Sequence, residues 1–193
     1  SCSLVGSEMC IRDRYVACAG NFKDAGLEYT GALKVLQMIF SYEYLWIQIR
    51  VKGGAYGCMC SFSDQGDSMF VTYRDPNLSE SYKVYDEAAD YVADFDADDR
   101  DMKKYIIGTI GSMDMPMEAV DMGARSFHAY FLGKTEADLQ KVRDQVLSCT
   151  QEDIRALAPI VKAVVEAGNR CCIGNEEKID QNKEYFDEVK HVL

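Results

Sequence analysis

The residues best suited to chemistry are Arg50 and Tyr56, on either side of Gly53-Gly54. A guanidinium presents several donors in a rigid fork, and a phenol presents a hydroxyl able to donate to a developing oxyanion. Residue type alone does not fix a role. An Arg closing an apolar segment is most often a surface group with a buried stem, and a Tyr opening a strand is most often half-buried. The glycine pair is the unusual feature, because it lets the backbone turn tightly and another chain approach closely.

The other candidates reduce to structure. Asp94-Phe95-Asp96-Ala97-Asp98 begins with calcium-loop spacing. Asp99 then stands where the loop needs Gly and Tyr105 where it needs Glu, so it reads as an acidic loop between helices. Residues 53–57 and 108–111 match neither a dinucleotide fingerprint nor a phosphate loop. Gly108 and Gly111 are expected to let two helices approach closely. The two histidines, His128 and His191, lie far apart, so no metal set is expected within this chain. Outside residues 1–14 the cysteines are Cys18, Cys58, Cys60, Cys149, Cys171 and Cys172. They form no C-x-x-C pair and are expected to be reduced, small buried hydrophobes.

The elements that must position Arg50 and Tyr56 follow from periodicity. Residues 15–19 read as an entering strand and residues 21–26 as a loop. Leu33, Leu36 and Phe40 give residues 30–41 helical spacing, whereas residues 44–51 fit either helix or strand. Residues 56–62 and 69–73 alternate as two strands of a hairpin through Gly66. Asp75-Pro76-Asn77 signals a turn, with Asn77 or Ser79 as the cap of the next helix. Helices are expected over residues 81–95, 98–110 and 117–132. Thr135 with Asp138, and Thr150 with Asp153, are capping boxes opening helices over 136–149 and 151–167. A short strand over 170–174 and a polar helix over 176–192 complete the chain. About four strands and six or seven helices, with one local hairpin, indicate an α+β fold: a mainly antiparallel sheet with helices on one face.

The chain has 193 residues and a net charge of −11, with a pI near 4.6. That balance argues against a nucleic-acid backbone binder and against a polybasic membrane anchor. No apolar run approaches the roughly 20 residues that span a bilayer. Reduced-looking cysteines and the lack of a recognisable leader give a cytoplasmic expectation.

The first residues are a separate matter. Leu4–Asp13 matches, codon by codon, the translation of a transposase adapter from short-read sequencing libraries. Residues 1–14 are therefore expected to be a non-native tail, with the native chain starting near Tyr15 and truncated on its N-terminal side.

The run YEYLWIQIRVKGGAYGCMCSF, followed by FVTYRDPNL and YIIGTIGSMD, resembles the C-terminal quarter of the pitrilysin/insulysin-type zinc metallopeptidases, presequence-protease branch. GNFKDAGLEYTGALKVL and CIGNEEKI are similar to the same branch. The resemblance implies the LuxS/mitochondrial-processing-peptidase-like metallohydrolase fold, with residues 15–193 as the last of four related domains. It implies two halves closing around a chamber that takes unstructured peptides. The N-terminal half of such enzymes binds zinc through H-x-x-E-H and a further Glu. The C-terminal half lends an Arg and a Tyr to substrate and transition state; here those are Arg50 and Tyr56, with Gly53 and Gly54 beside the substrate. This chain has no H-x-x-E-H, so it is expected to hold no metal and to be inactive alone. The alternatives are a non-catalytic partner subunit of the same superfamily, which would need neither Arg50 nor Tyr56, and an unrelated α+β binding module.

Overall fold

The computed structural model describes residues 2–5 and 14–191. Most of the adapter-like stretch, residues 6–13, lies outside them. Six strands form one sheet: β1 (Cys2–Val5), β2 (Tyr15–Asn21), β3 (Gly57–Phe62), β4 (Asp67–Tyr73), β5 (Asn169–Gly174) and β6 (Glu188–His191). Their order is β3-β4-β2-β5-β1-β6. The first four pair antiparallel, and β1 runs parallel to both β5 and β6.

Alternation gives the sheet two unlike faces. Val16, Cys18, Cys60, Phe62, Phe70 and Cys172 point inward and are buried. Tyr15, Met59, Met69 and Ile173 point the other way and are exposed. The helices cover the inward face, as the α+β expectation requires. The core between them is aromatic: the Phe70 ring lies 5.7 Å from Phe40 and 5.5 Å from Tyr85. The buried hydroxyls find backbone acceptors, Tyr85 donating to the Val16 carbonyl at 3.0 Å and Tyr82 to that of Cys171 at 3.1 Å. Gly20 marks the closest approach of helix and sheet. A Cβ there would fall 2.6 Å from the Val164 carbonyl oxygen.

The helices are α1 (Ala32–Ile39), α2 (Ser79–Asp86), α3 (Ala88–Ala93), α4 (Asp99–Met113), α5 (Ala119–Phe131), α6 (Glu136–Leu147), α7 (Gln151–Arg155), α8 (Ala158–Glu166) and α9 (Glu176–Asp180). Both capping boxes form as read, at Thr135 and Thr150. Other expectations are corrected. The helix over 81–95 breaks at Glu87, and the one over 151–167 breaks at Ala156-Leu157, just before Pro159. The polar terminal helix is short and gives way to β6. Residues 44–51 are helical: α1 runs on in wider turns over Phe40–Tyr44 and Trp46–Lys52. Neither Asn77 nor Ser79 caps α2, whose N-cap is Leu78. A Cβ on Gly108 would make only ordinary contact with Met38, and one on Gly111 would meet open space, so neither glycine serves a close approach.

Candidate functional site

Arg50 stands in the last wide turn of the long helical segment, where Gly53 N–H bonds back to the Gln48 carbonyl at 3.0 Å, five residues earlier. Turns of this width are uncommon and recur at functional sites. The segment ends at Gly53, and Gly54 takes a left-handed φ of 76° that a side chain would resist. Asn77 Nδ2 donates to the Gly53 carbonyl at 2.5 Å, tying the corner to the turn after β4. Tyr56 N–H then bonds the Arg74 carbonyl at 3.2 Å and the chain enters β3.

This corner brings Arg50 and Tyr56 together. The guanidinium donates to the Tyr56 carbonyl. It lies 4.6 Å from the Trp46 ring centre and 5.5 Å from that of Tyr56, within cation–π range of both. Tyr56 is 56% exposed, so its hydroxyl is available to an outside group. Its ring also lies 5.5 Å from the Arg74 guanidinium and 5.5 Å from the Tyr73 ring. Gly57 makes the Tyr73 position possible, since a Cβ there would fall 2.3 Å from that ring.

A buried carboxylate supports the corner from below. Asp75 is fully buried and accepts from Ser81 Oγ at 2.6 Å and from Asn77 N–H at 2.9 Å. Burial pushes its carboxyl above the ordinary value, against the pull of these donors and of Arg14. Arg14, the last residue of the expected tail, is itself buried. It donates from Nε to the Asp75 carbonyl at 3.0 Å and also to that of Pro76.

Of the sequence-read site residues, Arg50 and Tyr56 are adjacent, and Gly53 and Gly54 form the turn between them. Trp46, Tyr73 and Arg74 were not singled out for the site. Tyr73 comes to it through the β3–β4 register, which pairs it with Gly57. The arrangement offers guanidinium and phenol donors around an aromatic floor, suited to holding a carbonyl oxygen or an anionic intermediate. Four buried or half-buried thiols are not nucleophiles at neutral pH: burial pushes Cys58 and Cys18 up to about 11, and Cys149 and Cys172 up to about 12. Among the described residues no three His, Cys, Asp or Glu side chains converge as a metal set. His128 lies exposed on α5.

Residues 9–175 match the family model of the PreP C-terminal domain. The chain belongs to that family. The match opens within the adapter-like stretch. Protein HypA of Clostridium perfringens is 42% identical over 180 residues, and presequence protease 1 of Arabidopsis thaliana 34% over 183. Each alignment takes 93% of this chain but only 18% and 17% of the relative, so the chain spans under a fifth of their length. Among solved structures, the peptidase M16 inactive domain from Pseudomonas fluorescens superposes with a TM-score of 0.61 at 15% identity, covering 91% of this chain and 43% of that one. Pitrilysin superposes at 0.60 and 12%, covering 100% and 22%. These likenesses establish the shared fold, and with the family match they make this PreP C-terminal domain a C-terminal domain of the pitrilysin-type metallopeptidases.

Proposed function

We propose that this PreP C-terminal domain is the last domain of a longer zinc metalloendopeptidase that degrades unstructured peptides in a closed chamber. Residues 15–193 form that domain, and residues 1–14 are a non-native tail, of which Cys2–Val5 fills a place in the sheet between β5 and β6 and Arg14 packs under the turn at Asp75. The observation that carries the reading is the meeting of Arg50 and Tyr56 on an exposed corner whose backbone is fixed from beneath. Tyr56 Oη donates to the oxygen of a peptide carbonyl as negative charge develops on it. Arg50 holds a neighbouring substrate carbonyl through its fork of donors. Gly54, whose absent Cβ would meet only Pro76 at 3.7 Å, leaves room for the substrate backbone, whereas Gly53 makes way for the Ile49 carbonyl oxygen, 2.5 Å from where its Cβ would stand. The zinc ligands would lie in the N-terminal half of the polypeptide, because the residues here do not fit that ion. The chain alone is therefore inactive, and the cytoplasm is its compartment.

Tyr56→Phe in the full-length enzyme tests this directly. Removal of one oxyanion donor is expected to lower turnover by about 10²–10³. The melting temperature should not move, because the hydroxyl makes no hydrogen bond among the described residues. Near-wild-type turnover would sink the role. Arg50→Lys keeps the charge but loses the fork, and should raise KM more than it lowers kcat.

A further inference from the structure

Helix α5 is amphipathic, and its apolar side faces the wrong way. Val120, Phe127 and Phe131 recur at helical spacing on one stripe. They are 80%, 66% and 70% exposed, and the Phe127 and Phe131 ring centres lie 4.6 Å apart along it, tilted by 56°. Asp121, Arg125 and His128, on the other side, line a trough of about 1120 Å³ between α5 and the rest of the domain. Methionines 38, 113, 115 and 117 and Leu139 also face that trough. No residue of α5 is buried. The helix is fastened at its approaches instead. Arg143 clamps Asp114 with both guanidinium nitrogens, at 2.6 and 2.7 Å, and Lys134 pairs with Asp64.

An apolar stripe of this size turned to water marks an interface. We propose that the Val120–Phe127–Phe131 stripe of α5 is the docking surface for an apolar face of the remaining polypeptide, outside this chain. The inference rests on the reading of the chain as one part of a longer enzyme. Two observations choose this occupant over a second copy. The chain spans 18% and 17% of the two relatives, so a partner face would be tethered to it at high effective concentration. Two copies, each with a net charge of −11 over the whole chain, would repel at long range.

Hydrogen exchange on the full-length polypeptide and on the 193-residue chain tests the surface. Amides of α5 are expected to exchange at least about tenfold more slowly in the full-length form, with β4 equally protected in both. In the full-length form, Phe127→Asp with Phe131→Asp should return α5 to fast exchange and leave β4 slow. Three outcomes overturn the proposal. These are equal α5 exchange in the two forms, slow α5 exchange in the short chain with a dimer by sedimentation, and no response to the double substitution. Turnover separates this surface from the catalytic reading: α5 protected in a full-length form that lacks peptidase activity would keep the surface and lose the enzyme.

Discussion

The Arg50–Tyr56 corner and the α5 arch meet opposite ends of β3, and they are held in different ways. At the Tyr56 end, exposed groups stand on buried ones: Ala55, Asp75 and Ser81 lie beneath Arg50 and Tyr56. At the Phe62 end, α5 crosses a trough, has no buried residue and is pinned through flanking ion pairs. A site that must hold donors within a fraction of an ångström needs such a support, whereas a surface completed by a partner does not.

The contrast can be broken by substitution. Phe70 belongs to β4 of the hairpin that bears the corner and is fully buried on its inward face, so Phe70→Ala should cost about 3–5 kcal/mol in urea unfolding. A value below about 1 kcal/mol would mean the corner is not supported as described. Gly57→Ala should cost about 1–3 kcal/mol, because the new methyl must displace the Tyr73 ring. Asp75 gives a pH signature. Its folded pKa is raised, so the folded state favours the protonated acid. Its contribution is greatest below about pH 4 and is lost as pH rises through the folded value. Asp75→Asn should remove that part of the slope, and parallel stability–pH curves for the two proteins would refute it. Phe127→Ala should change stability of the short chain by about 0.5 kcal/mol or less. Arg143→Ala should leave the unfolding midpoint in place while speeding exchange around Asp114. A larger response at either position would mean α5 packs against the domain after all.

Much of this was legible in the chain because it is local. The capping boxes at Thr135 and Thr150 need only their own four residues, and the Gly66 hairpin needs only alternation and a turn. Arg50 and Tyr56 could be paired because a glycine turn keeps them close. What escaped depends on distant partners. Residues 188–191 are polar and read as helix, but pairing with β1 draws them into the sheet. The segment over 44–51 was ambiguous because wide turns leave Trp46, Ile47 and Val51 outside while burying Leu45 and Ile49. Tyr73 and Arg74 join the site through sheet register and a turn, which periodicity does not report. The inverted face of α5 was likewise invisible, since an apolar stripe looks the same whichever way it points.

Arg74 has a φ of 50°, the only non-glycine residue with a positive φ among the described residues. An L-residue in that region gives up about 1 kcal/mol that glycine would not. Replacement by glycine would relax the turn and remove the cation beside Tyr56. Selection for heat resistance and selection for that cation would therefore pull this position in opposite directions. In a library screened for melting temperature alone, Arg74→Gly is a substitution expected to rise, and it would take with it the cation beside Tyr56.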